Sequence, residues 1–123
     1  MELKPFLINF ERKINNKKGH LICLEDYKLN FIFKRLFWIT GFDKNSFSDV
    51  RGNHGHKNSD QILICLKGSC KLLVNNNDIF LMKTDDVGLF LPRNNIITMT
   101  EFSEDCLLLV LSNINFKDDE YFS

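Results

Sequence analysis

The residues most able to do chemistry lie in the block Arg51-Gly52-Asn53-His54-Gly55-His56, with Gln61 and Gly68 beyond it. Side chains alternate across a β-strand, so a His-x-His pair on a strand sends both imidazoles to one face. If that face lines a small β-barrel, the pair opens onto a pocket. Histidine is the side chain whose ordinary titration falls near neutral pH, and it is also a common metal ligand. Two chemistries therefore compete: holding a metal ion, or carrying protons.

The pattern resembles the site of a cupin, and a metal-binding member would add an acid and a third histidine. Five residues after His56 the chain supplies Gln61, a neutral amide. The stretch from Gly88 to Met99 holds no histidine, and His20 lies far upstream. Two imidazoles and an amide are a poor ligand set for a divalent ion. The expectation is no metal and no cofactor. Unliganded histidines on one wall could instead act as general base and general acid. The plainer alternative is a surface loop, since Asn53, Gly55, Lys57 and Asn58 surround the pair.

Arg51 stands three residues before His54, and Arg35 lies mid-strand on the face of Phe37. An arginine inside an apolar strand is costly unless it meets an anion or acceptors. Arg51 is expected to grip a polar or phosphorylated substrate. Arg35 is assigned evenly between that role and a structural salt bridge. Lys18, in Lys17-Lys18-Gly19, reads as a turn residue that could add charge to a ligand site. Asp85-Asp86 reads as a turn and Asp118-Asp119-Glu120 as a solvated tail.

The elements that position these residues read as strand after strand. Apolar runs cover Phe6 to Phe10, Leu21 to Leu24, Phe31 to Thr40, Gln61 to Leu66, Lys71 to Val74, Ile79 to Met82, Gly88 to Leu91, Ile96 to Thr100 and Cys106 to Leu111. Asn75-Asn76-Asn77-Asp78 is a hairpin turn signal, because Asn and Asp tolerate left-handed backbone. Gly41 to Val50 is the longest polar connection, expected to form a mobile rim. Short strands with polar turns indicate an all-β sandwich or barrel.

The 123 residues suffice for one domain spanning 1–123 with a proper core. Sixteen basic and sixteen acidic side chains balance, which argues against nucleic-acid or anionic-membrane binding. Cys23, Cys65, Cys70 and Cys106 form no CxxC, and three sit in apolar runs, as reduced core thiols do. The start of the chain lacks a signal-peptide pattern, and no apolar run reaches the roughly 20 residues of a spanning helix. The expected location is cytoplasmic.

With this context the chain resembles the sugar 3,4-ketoisomerases, small WxcM-like cupins. The resemblance runs through Lys34-Arg35-Leu36, Arg51 to Lys57, Gln61, Cys65-Leu66-Lys67-Gly68-Ser69-Cys70, Gly88 to Pro92, Met99, Phe102-Ser103, Asp105-Cys106, Val110-Leu111-Ser112 and Asp118 to Tyr121. It implies a jelly-roll (double-stranded β-helix) fold and a homodimer needing no metal. It implies isomerisation of dTDP-4-keto-6-deoxyglucose to the 3-keto sugar, on the way to 3-amino-3,6-dideoxy sugars of surface glycans. In that reading His54 is the base, His56 the second histidine, and Arg51, Arg35, Gln61 and Lys18 bind substrate. One departure stands out. Where such enzymes commonly carry a tyrosine, two residues after Arg35, this chain has Phe37, which can neither donate nor accept a proton. A nucleotide-sugar-binding cupin with weakened catalysis is therefore the alternative, and a metal-dependent cupin a more distant one.

Overall fold

The computed structural model describes residues 4–25 and 31–123. Its strands are β1 (Phe6–Asn9), β2 (Glu11–Asn16), β3 (Gly19–Cys23), β4 (Arg35–Ile39), β5 (Arg51–His56) and β6 (Gln61–Lys67). They continue as β7 (Ser69–Val74), β8 (Asp78–Lys83), β9 (Val87–Leu91), β10 (Ile96–Thr100), β11 (Leu107–Ser112) and β12 (Tyr121–Phe122). Two five-stranded antiparallel sheets form, ordered β1-β9-β6-β11-β4 and β12-β5-β10-β7-β8. From β5 onward the chain passes repeatedly from one sheet to the other. That winding is a jelly roll, the all-β architecture the sequence implies.

The core lies between the sheets because alternate residues of each strand face inward. Leu63, Leu72, Val74, Leu89, Leu108 and Val110 are fully buried there. Phe102 closes one end, stacked on Phe42 with ring centroids 4.1 Å apart. Cys65, Cys70 and Cys106 are buried and free, and Cys23 is free and half-buried. Burial pushes the Cys65 thiol up to about 12, far from a reactive thiolate.

The asparagine turn forms as expected. Asn75 and Asn76 both take φ of 55°, and the Asn77 amide donates to the Val74 carbonyl as β7 turns into β8. Two expectations need correction, and one strand was not foreseen. The long strand from Phe31 contracts to β4, with Ile32 and Phe33 exposed ahead of it. The segment from Glu11, too polar to signal a strand, pairs with β3 as a separate two-stranded hairpin. The Gly41–Val50 rim is tied down: the Glu101 amide donates to the Phe47 carbonyl, and the Thr100 hydroxyl to that of Asp49.

Candidate active site

The strand β5 carries the histidines, and its irregularity decides what else faces the pocket. Plain alternation would send Arg51, three residues before His54, to the opposite face. Against β10, however, Ile97 pairs with His54 and Thr98 with Gly52, leaving Asn53 as an extra residue. This β-bulge resets the alternation, so Arg51, His54 and His56 all turn inward. The bulge needs left-handed backbone at Gly52 (φ 86°) and Asn53 (φ 62°), residue types that accept it.

The result is a cavity of about 490 Å³ whose wall includes Arg35, Phe37, Arg51, His54, His56 and Gln61. Five of the six residues expected at the site thus come together. The sixth, Lys18, does not. It sits at the turn between β2 and β3, where its amide donates to the Asn16 side chain, and it lines no part of this cavity. The correction follows from topology, since the hairpin forms no ladder with either large sheet.

His56 is 7% exposed and held at both ring nitrogens. Its Nδ1 lies 2.6 Å from Oδ2 of Asp119, whose side chain is 3% exposed. Because the carboxylate can only accept, Nδ1 carries the proton and Nε2 presents its lone pair. Gln61 Nε2 stands 3.4 Å from that Nε2, oriented to donate a long hydrogen bond. Burial lowers the His56 pKa, against the pull of the Asp119 hydrogen bond and charge. Burial alone would raise the Asp119 carboxyl, but the hydrogen bonds it accepts from His56 Nδ1–H and from the Glu120 amide outweigh that and hold it below its ordinary value. The pair is a neutral imidazole anchored on an ionised carboxylate.

Asp119 corrects the reading of Asp118-Asp119-Glu120 as a solvated tail. The segment is stitched to β5: the Lys57 amide donates to the Glu120 carbonyl, the Asn58 side chain to that of Asp118, and Tyr121 and Phe122 pair with His56 and Gly55. Sequence reasoning missed both Asp119 and Tyr121 as site residues. The available signal was their spacing: acid and tyrosine sit two apart, as do His54 and His56 on the strand they join. Tyr121 packs edge-on to both imidazoles, 4.9 Å from His54 and 4.7 Å from His56 between centroids.

Arg35 meets no carboxylate among the described residues. Its guanidinium lies over two rings, 4.4 Å from the Phe37 centroid and 5.0 Å from that of Phe116. The aromatic faces stabilise the cation while leaving its N–H donors free for an anion. Arg51 likewise has no acidic partner among the described residues. Nor do three His, Cys, Asp or Glu side chains among them converge as a metal site would require.

A jelly roll carrying two inward histidines two residues apart on one strand, with arginines beside them, is a cupin with a polar wall to its cavity. The chain belongs to the family described as FdtA: WxcM-like, C-terminal, which matches residues 4–123. It is 34% identical over 119 residues to TDP-4-oxo-6-deoxy-alpha-D-glucose-3,4-oxoisomerase of Aneurinibacillus thermoaerophilus, covering 94% of this chain and 83% of that one. Among solved structures it resembles QdtA, a sugar 3,4-ketoisomerase from Thermoanaerobacterium thermosaccharolyticum in complex with TDP. There the TM-score is 0.85 at 34% identity, over 99% of this chain and 89% of that one. WlaRA, a TDP-fucose-3,4-ketoisomerase from Campylobacter jejuni, matches at TM-score 0.84 and 30% identity, over 98% and 89% of the two chains.

Proposed function

We propose that this protein isomerises dTDP-4-keto-6-deoxyglucose to a dTDP-3-keto-6-deoxyhexose, supplying a keto sugar for 3-amino-3,6-dideoxy sugars of surface glycans. The observation that carries the proposal is the bulged β5, which puts Arg51, His54 and His56 on one cavity wall opposite Arg35. The similarity to enzymes named for this reaction supports it.

The substrate has a ketone at C4 and, at C3, one hydrogen and one hydroxyl. His54, half-buried and without the carboxylate anchor of His56, takes the C3 proton. The released electron pair forms the C3–C4 double bond as the C4 oxygen gains a proton, giving an enediol. Return of a proton to C4 and loss of the O3 proton leave the ketone at C3. Hydrogens move but none is gained or lost, so the chemistry needs no redox cofactor. Arg35 and Arg51 hold the diphosphate and sugar oxygens, and His56 with Gln61 fixes the wall beside the reacting carbons.

The test is incubation with dTDP-4-keto-6-deoxyglucose in deuterated water, followed by NMR. The expected result is a 3-keto product with deuterium at C4; unexchanged substrate overturns the proposal. His54→Asn should lower turnover by about 1,000-fold or more while the fold persists. Phe37 favours a second reading, a dTDP-sugar-binding cupin without turnover, which tight dTDP binding and no product would select.

We assign the protein to the reducing cytoplasm on its free cysteines. We also assign it to a homodimer, on the exposed Ile14, Leu21 and Ile22 of the hairpin and the exposed Phe6 and Leu7 of β1. Light scattering should give twice the 14.4 kDa chain mass.

A further inference from the structure

The proposed reaction moves two kinds of proton. One travels between carbons, from C3 to C4. The other leaves O3 and arrives at O4, and some group must give and take it at oxygen. His56 is poorly placed for that work, because Asp119 holds its Nδ1 and Gln61 faces its Nε2. Phe37 has no exchangeable proton. The described residues of the cavity wall include two hydroxyl side chains, Thr40 and Tyr121. A phenol is a far stronger acid than an alcohol, and only Tyr121 packs on both imidazoles.

Resting on the ketoisomerase reading, we infer that Tyr121 is the catalytic residue that carries the oxygen-bound proton, completing with His54 a two-group shuttle. As His54 removes the C3 proton, the Tyr121 hydroxyl donates to O4 and becomes a phenolate. As His54 returns a proton to C4, the phenolate takes the proton from O3. Both groups end as they began, and every proton is accounted for.

The placement of Tyr121 follows from the ladder. Tyr121 is the antiparallel partner of His56, and directly opposed residues share a face of the sheet. The same two-residue strand is preceded by Asp119, so one short segment delivers both the anchor of His56 and the phenol. This explains how the wall can retain an ionisable hydroxyl although position 37 carries none.

Tyr121→Phe tests the inference, because it keeps the ring against the histidines and removes only the oxygen. Turnover should fall about 100-fold or more, the range of a lost general acid–base group. The dTDP affinity measured by calorimetry should stay within about twofold, and a double variant Phe37→Tyr, Tyr121→Phe should recover part of the lost rate. Wild-type turnover in Tyr121→Phe would overturn the inference while leaving the ketoisomerase reading intact. A drop in dTDP affinity that accounts for the lost rate would also overturn it, making Tyr121 a binding residue. If the wild-type protein itself gives no 3-keto product, the reading of the reaction fails instead.

Discussion

Asp119 holds the imidazole of His56 across 63 positions of sequence, Oδ2 to Nδ1 at 2.6 Å. The bond fixes which nitrogen bears the proton, and thereby which way the lone pair points. It also accounts for a carboxylate with a nearly inaccessible side chain at the edge of a jelly roll.

Replacing that carboxylate by an amide tests its directing role. Asp119→Asn can offer an N–H to Nδ1 and so favour the opposite tautomer. Turnover should fall about 10–100-fold, the usual scale for loss of a group that orients a site histidine. The dTDP affinity should stay near wild type, and nitrogen NMR should show the His56 proton moved from Nδ1 to Nε2.

Arg35 is positioned by aromatic faces rather than by acids. Arg35→Lys keeps the charge but gives up the planar guanidinium that stacks on Phe37 and Phe116. A loss of about 1–2 kcal/mol corresponds to roughly tenfold in affinity. Steady-state kinetics should show KM raised about tenfold with kcat little changed.

The buried imidazole should leave a mark on stability. His56 has a lowered pKa in the folded protein, so the unfolded chain binds more protons between that lowered value and about 6.5. Its contribution is complete above about pH 6.5 and is lost as pH falls through the folded value. Tm should therefore hold steady from pH 8 to 6.5 and decline below it. His56→Gln should flatten the decline over that interval, as followed by circular dichroism.

Gly55 leaves no room for a side chain. A Cβ there would stand 2.5 Å from Cζ of Phe122 and 2.8 Å from the Asn95 carbonyl oxygen. Gly55→Ala should push β12 away from β5, costing about 1–3 kcal/mol of stability. Activity should fall further than this loss explains, because Asp119 and Tyr121 move with the strand. Tm and turnover measured together separate the two effects.

Much of the barrel was legible because its strands alternate apolar and polar residues between recognisable turns, as in Asn75–Asp78. The histidine pair was legible for the same reason: spacing of two is spacing on a strand. Arg51 was legible as a residue type but not as a direction, since a single extra residue at Asn53 decides its face. The hairpin strand β2 escaped because it buries little and so carries no apolar signature. Asp119 escaped because a charged run looks the same in sequence whether water or one buried imidazole receives it. Its partner is remote, and only the closure of β12 onto β5 brings the two together.

Within that closure the β12 ladder has only two pairs, Tyr121 with His56 and Phe122 with Gly55, where the interior strands share four or more. Short edge segments open at much lower free energy than a barrel core. Opening of β12 would free the His56 ring and withdraw the phenol while both sheets stay paired. The protein should thus have two thermal thresholds, with activity fading at a lower temperature than the one at which the sheets come apart. Backbone amides of β12 should likewise exchange with solvent deuterium well before those of β6 and β11.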